Sequence, residues 1–240
     1  MSVPSAMVLD KTKEVALEDL SHWKGCARPE RIVLEGQYAQ LEPLDAKAHG
    51  DGLYEAATIG DADTRFRYLP SLKPESRAAF QPWLDWAGAS LDPMHFAVID
   101  KASGKVGGWH TIMRIDAPNG VGEIGAIQWG PLIQQTPATT EALYLTALYL
   151  FDALGYRRFE WKCNNRNEPS KRAALRYGFV FEGLFRKHMI VKGENRDTAW
   201  YAMTDDDWRI AKPAFEAWLD PSNFDSKGRQ RKRLEEFRKT

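Results

Sequence analysis

The chain has 240 residues, 43% of them hydrophobic and 12% aromatic, which supplies a sizeable core and argues against intrinsic disorder. Lysine plus arginine and aspartate plus glutamate balance at 33 each, so no net field draws a polyanion, and neither nucleic acid nor a membrane is an expected partner. The two cysteines, Cys26 and Cys163, stand at no metal-ligand spacing, which points to no metal, no disulfide framework and a reducing, cytoplasmic setting.

The start, Met1 to Asp10, lacks a basic segment followed by a long apolar run, so no leader is expected. Residues 1–29 read as an N-terminal arm with a helical turn near Leu17–Trp23. Apolar Ile32, Leu34, Tyr38 and Leu41 suggest a first strand over Arg31–Leu44, bent or interrupted at Gly36. Asp45 is placed to cap a helix running to about Ile59, and Pro74 to open a second one through Phe80, Trp83 and Ala87, with Pro82 inside it. The stretch Asp63–Pro74 between them reads as irregular. Met94–Asp100, the turn Ala102-Ser103-Gly104, Val106–Ile115, the turn Pro118-Asn119-Gly120 and Val121–Trp129 form an antiparallel meander.

After the meander, helices and strands alternate: a helix over Pro137–Leu154, strand Arg158–Cys163, helix Pro169–Tyr177, strand Phe179–Val191 and strand Asp197–Met203. Gly178 is placed to end its helix in a left-handed cap. Thr204 and the acidic run Asp205–Asp207 signal a further helix through Trp218. The basic stretch Arg229–Arg233, followed by Glu235 and Glu236, reads as a solvated helix or tail.

Two junctions carry polar chemistry. At Gln134-Gln135-Thr136-Pro137-Ala138-Thr139-Thr140 a strand hands over to a helix, where backbone N–H groups without intrahelical partners form an anion cradle. Capping alone accounts for such a turn equally well. At Asn164, Asn167 and Ser170 a second junction offers either ordinary capping or a polar seat for the amides of an extended ligand. The sheet tryptophans Trp109, Trp129, Trp161 and Trp200 read as core, with one or two able to wall a pocket.

The order of these phrases resembles the Gcn5-related N-acetyltransferases, and within them the RimJ/RimL-like branch. The resemblance rests on Glu123-Ile124-Gly125, the phrase Gln134 to Ala142, Asn167-x-x-Ser170, Gly178-Phe179 and Phe181 to Arg186, and spans about residues 30–203. It implies an α/β fold whose mixed, mostly antiparallel central sheet has about seven strands flanked by helices. That sheet is splayed between its fourth strand, Val121–Trp129, and its fifth, Arg158–Cys163. Residues 204–240 then form a C-terminal helical extension and basic tail.

The resemblance implies acetyl-CoA as co-substrate, held by Gln134, Gln135, Thr136, Ala138, Thr139, Thr140, Asn164, Asn167 and Ser170. It also implies direct acetyl transfer to a primary amine, on a small molecule or a protein N-terminus. The alternative is a non-catalytic acyl-CoA-binding scaffold; a homodimer stays open. Glu123 is the candidate base and Ser170 the candidate donor to the departing thiolate, with Trp129, Glu182 and His188 beside the acceptor. Two departures stand out. Pro137 and Thr139 replace the phosphate-loop glycines, and Ala174 replaces the tyrosine that many members use as general acid.

Overall fold

A computed structural model describes residues 19–238. The proposed turn at Leu17–Trp23 lies partly outside them. From Trp23 onward the arm is tied down: the Trp23 indole donates to Pro118 O at 2.7 Å and the Glu30 amide to the Tyr149 hydroxyl at 2.8 Å.

Among the described residues the strands form one eight-stranded sheet in the order β1-β2-β3-β4-β5-β6-β8-β7. β1 (Leu34–Glu35) and β2 (Ala39–Pro43) are the two halves of the expected first strand, divided at Gly36, which is why the count exceeds seven. Asp45 caps α1 (Ala46–Thr58), accepting from the Lys47 and Ala48 amides at 2.9 and 2.7 Å. The stretch expected to be irregular contains a short helix, α2 (Ala62–Phe66), capped by Asp61. α3 (Arg77–Ala89) starts three residues later than Pro74 suggested, because the Ser76 hydroxyl accepts from the Ala79 amide and fixes the cap there.

The meander follows as β3 (Met94–Asp100), β4 (Lys105–Asp116) and β5 (Val121–Trp129). α4 (Pro137–Leu148) continues into a π turn over Tyr149–Ala153 and leads to β6 (Arg158–Asn164). α5 (Glu168–Tyr177) ends at Gly178 in the left-handed conformation, φ 98°. β7 (Val180–Val191) and β8 (Glu194–Thr204) complete the sheet. α6 (Asp205–Leu219) opens on a reciprocal capping box between Thr204 and Asp207, and α7 (Leu234–Phe237) closes the described chain.

One face of the sheet buries Leu53, Phe80, Leu84 and Trp109 beneath α1 and α3. The other face buries Leu143, Leu150, Phe159, Trp161 and Phe215 beneath α4 and α6. Each such side chain contributes about 1.5–3 kcal/mol by leaving water, so the sheet is held from both sides. His110 on β4 and Thr146 on α4 add a polar tie at 3.0 Å, and burial pushes the His110 imidazole down to about 3, so it is neutral there.

Arg229–Arg233 are all exposed, as a solvated stretch should be, and form a loop in place of a helix. Residues 221–233 fold back around buried Asn223, whose side chain donates to Trp218 O at 3.0 Å and accepts from the Lys232 amide at 3.0 Å. Leu234 is fully buried, which anchors the end of the loop.

β5 and β6 are the parallel neighbours in this otherwise antiparallel sheet. Their pairing runs from Val121↔Arg158 to Ile124↔Trp161 and stops. Just beyond it, Ala126 adopts a left-handed φ of 47° and the register against β4 shifts between Trp109 and Thr111. A bulge bends its strand. Here it turns β5 away from β6 and opens a wedge in the sheet.

Candidate active site

The wedge is one end of a cleft of about 1150 Å³. Its walls are the diverging halves of β5 and β6, the loop into α4, the start of α5, β8, and the Phe224–Gln230 loop of the C-terminal extension.

At the apex, Glu123 and Glu160 are register partners across β5 and β6, so both carboxylates emerge on one face of the sheet. Two adjacent buried carboxylates repel, and Lys162, two residues along β6, answers both. Its ammonium lies 2.9 Å from Glu123 Oε2 and 2.5 Å from Glu160 Oε2. It also sits 3.8 Å from the ring centroid of Trp200, its cross-strand neighbour on β8. Glu160 is further held by Arg158 at 2.7 Å, whereas Glu123 has only a loose second cation, Arg114 at 3.5 Å. Beyond Lys162 at 2.9 Å, Glu123 Oε2 has Arg114 at 3.5 Å, and a carboxylate oxygen with two lone pairs keeps acceptor capacity for a further donor. Burial pushes its carboxyl up, opposed by Lys162 and Arg114. A carboxylate with that balance suits proton abstraction near neutral pH better than an exposed one.

Gly125 follows on β5. A Cβ there would meet the Met113 sulfur, so any larger residue would push the Met113 side chain aside. Its carbonyl accepts from the Thr111 hydroxyl at 2.9 Å, which pins the strand just before the bulge at Ala126.

At the other end of the cleft, the Gly130–Thr136 turn feeds α4. Gln135 takes the left-handed conformation, φ 59°, the posture a glycine-poor turn must find elsewhere. The Thr136 and Thr139 hydroxyls are turned inward, donating to Ile133 O at 2.7 Å and Thr136 O at 3.1 Å. Gln134 Nε2 donates to Trp129 O at 2.9 Å. These side chains therefore shape the turn, and the groups left for a ligand are main-chain amides. Pro137 has none, the Thr136 amide is held by Ile133 O, and the N-cap side chain makes no capping bond. The Ala138 and Thr139 amides are thus without intrahelical partners, at the positive end of the dipole. Thr139 and Thr140 line the cleft, while Ala138 lies beneath it.

Arg176 joins this mouth from α5. Its guanidinium donates to Thr140 Oγ1 at 3.0 Å and stacks 4.9 Å from the Trp218 ring. Trp218 is held in turn by Gln230 at 2.9 Å. The C-terminal extension thus supports a cation beside the free amides, a long-range arrangement that the sequence does not announce.

The second polar junction caps and lines at once. Asn164 Oδ1 accepts from the Arg166 amide at 2.9 Å and Asn167 Oδ1 from the Ser170 amide at 3.2 Å, leaving both side-chain NH₂ groups as donors toward the cleft. Ser170 Oγ accepts from the Trp161 indole at 3.0 Å and also hydrogen-bonds the Cys163 thiol, so its proton faces a sulfur at the edge of the cleft. Ala174 is fully buried, and Tyr177 lines the cleft with its hydroxyl pushed up by burial.

Among the acceptor-side candidates, Trp129 and His188 line the cleft, and the Trp129 indole N–H is buried without a partner. Glu182 is corrected: it does not line the cleft, and both its oxygens bind the Arg158 guanidinium, at 2.7 and 2.5 Å. Lys162, Arg114, Arg176 and Arg196 are the site residues that the sequence reading missed. Lys162 had a signal. On β6 the apolar Phe159, Trp161 and Cys163 alternate with Glu160, Lys162 and Asn164, so charges of both signs fall on one face of an interior strand.

Among the described residues no group of histidine, cysteine or carboxylate side chains is arranged to hold a metal, and no helix is long and apolar enough to cross a membrane.

A mostly antiparallel sheet, split between its parallel strands and faced by a helix mouth, defines an acetyltransferase fold. Residues 40–180 match the Acetyltransferase (GNAT) domain family. A Gcn5-related N-acetyltransferase from Brucella melitensis is 56% identical, with a TM-score of 0.91 over 92% of this chain and 100% of that one. A GNAT-family protein from Chromobacterium violaceum is 34% identical, with a TM-score of 0.74 over 81% of this chain and 96% of its own. The ribosomal-protein-S5-alanine acetyltransferase of Vibrio fischeri, 21% identical, has a TM-score of 0.55 over 74% of this chain and 98% of its own, and shares the fold. Comparison with curated protein sequences found no match. The chain belongs to the Gcn5-related N-acetyltransferase (GNAT) family.

Proposed function

We propose that the protein is a cytoplasmic enzyme that transfers the acetyl group of acetyl-CoA to a primary amine, on a small molecule or a protein N-terminus in the manner of the RimJ/RimL-like branch. The observation that carries this reading is Glu123, buried at the apex where β5 and β6 part and facing the Lys162 ammonium at 2.9 Å.

The cleft suits the co-substrate. The Ala138 and Thr139 amides with Arg176 would take the diphosphate, and the side-chain amides of Asn164 and Asn167 would bond the pantetheine arm. Arg176 offers a charge where the glycines are missing, since a guanidinium reaches an oxyanion that a crowded turn holds at a distance. Acetyl-CoA would supply the activated acyl group. Glu123 takes a proton from the ammonium, directly or through one water; the neutral amine then attacks as the N–C bond forms and the C–S bond breaks, and the second amine proton leaves with the sulfur as the thiol. Ser170 donates a hydrogen bond to the sulfur that leaves, in the role Ala174 lacks the group to fill.

Calorimetric titration with acetyl-CoA, followed by thiol release with a panel of amines, tests the assignment. Absence of binding at millimolar acetyl-CoA removes the reading. Binding without release from any amine leaves a scaffold. A second measurement isolates the mouth: Arg176→Gln is expected to weaken CoA binding roughly ten- to a hundredfold, the worth of a charge-assisted hydrogen bond. The KM for the amine should stay put, and unchanged CoA affinity in this variant would take Arg176 out of the cofactor site.

A further inference from the structure

We propose that the acceptor amine carries an anionic group, a carboxylate or a comparable oxyanion, received by Arg114 and Arg196 while the amine faces Glu123. This rests on the acetyltransferase reading above and specifies the substrate class of the same site.

Arg196, on β8, lines the cleft and is half-buried, yet it has no carboxylate partner within ion-pair distance among the described residues. Its Nε donates to the Thr198 hydroxyl at 3.1 Å. A partly desolvated cation without an anion is unfavourable, and burial accordingly pushes this guanidinium down. The cost is recovered when an anion arrives.

Arg114 is delivered to the cleft by a built distortion. It adopts a left-handed φ of 50°, in a stretch where the β4–β5 register shifts between Met113 and Asp116. Asp92 holds that posture, its carboxylate accepting from the Arg114 and Ile115 amides at 2.8 and 3.0 Å. A non-glycine residue kept in this region costs about 1–3 kcal/mol, and such strain concentrates at functional sites. The Arg114 guanidinium approaches Glu123 no closer than 3.5 Å, so most of its donors remain unused.

His188 does not balance the two arginines. Its Nδ1 lies 3.0 Å from the Thr198 hydroxyl, a neutral partner that brings no negative charge to the cleft. Burial, then Arg114, Arg196 and Lys162, hold His188 below its usual value, as expected of an uncharged ring in a positive field. Lys162 is spoken for by Glu123 and Glu160. The carboxylates lining the cleft are Glu123 and Asp61, and Asp61 is occupied in capping α2. Arg65 on the same wall gives its Nη2 to the carbonyls of Ala56, Ala57 and Ile59 and keeps a buried Nε without a partner, so it adds to the positive charge of this end. An ammonium alone would be repelled by this acceptor end. An amine that also bears an anion finds a partner for each charge.

The test uses benzoate and benzamide as a matched anionic and neutral probe pair, titrated into the full-length protein and followed by tryptophan fluorescence. Benzoate should bind at least tenfold more tightly than benzamide. Arg196→Gln and Arg114→Gln should each weaken benzoate at least fivefold, leaving benzamide and acetyl-CoA affinities within twofold. Equal binding of the two probes, or benzoate binding that survives both substitutions, overturns the proposal. So does benzoate binding lost in Arg176→Gln instead, which would place the anion at the α4 mouth. Loss of acetyl-CoA binding in the wild-type protein strikes the acetyltransferase reading and is scored separately from the probe pair.

Discussion

Glu123→Gln is expected to lower kcat about 10²- to 10⁴-fold with little change in acetyl-CoA affinity, because the amide keeps the shape of the side chain and loses its basicity. The substitution is mild for the fold: Lys162 keeps Glu160 at 2.5 Å, and Glu160 keeps Arg158. The pH profile separates a base from a structural carboxylate. Burial raises the Glu123 carboxyl above its ordinary value of 4.5. The active form is the ionised one, so activity should climb as pH rises through that elevated value, and Glu123→Gln should lose this acid limb. Lys162→Met supplies the complementary sign. Lys162 stabilises the ionised form of Glu123, so removing it should move the limb further toward alkaline pH. A limb unmoved by Lys162→Met, or still present in Glu123→Gln, assigns the base elsewhere.

How much of this was legible in the sequence depends on how local each determinant is. The turns at Ala102–Gly104 and Pro118–Gly120 and the cap at Gly178 are decided by neighbouring residues and stand where their chemistry put them. The start of α3 was ambiguous because Pro74 and Ser76 are both good opening residues, and only the bond from the Ala79 amide to Ser76 Oγ decides between them. The resemblance pointed to Glu123, which lies beside the wedge, but could not say that Glu182 turns to a partner, Arg158, 24 residues upstream. Lys162 was within reach of strand alternation and was hidden by the apolar bulk of Trp161 and Cys163 around it. Arg176 was beyond reach, since its role depends on Trp218 and Gln230 in an extension that reads as solvated. The bulge that opens the wedge lies at Ala126, where no glycine announces a left-handed φ. At Gly125 the space for a Cβ is taken by the Met113 side chain across the strand pair.

Glu141→Ala is expected to cost about 3–5 kcal/mol of stability, the largest loss foreseen for a single position outside the apolar core. Glu141 belongs to the phrase that opens α4, yet it does not line the cleft. Its carboxylate is buried and accepts the Gln37, Tyr38 and Ala39 amides at 2.8, 2.5 and 2.6 Å, tying α4 to the turn between β1 and β2. Each buried amide left without an acceptor costs about 1–3 kcal/mol, and water relieves part of this where the turn is partly exposed. In a chain of this size the loss corresponds to a fall of about 10 °C in Tm. Gly36 belongs to the same device. A Cβ there would run into the Glu141 carboxylate, so Gly36→Ala should itself destabilise by driving the carboxylate off its amides. The pair should therefore be non-additive, with Gly36→Ala/Glu141→Ala no less stable than Glu141→Ala alone. Thermal melts of the three variants check this, and a Glu141→Ala protein melting within about 2 °C of wild type would sink it. The anchor also sets the direction of α4, whose first turn presents the Ala138 and Thr139 amides. Weakened CoA binding by Glu141→Ala at temperatures where it remains folded is the functional shadow of the same contact.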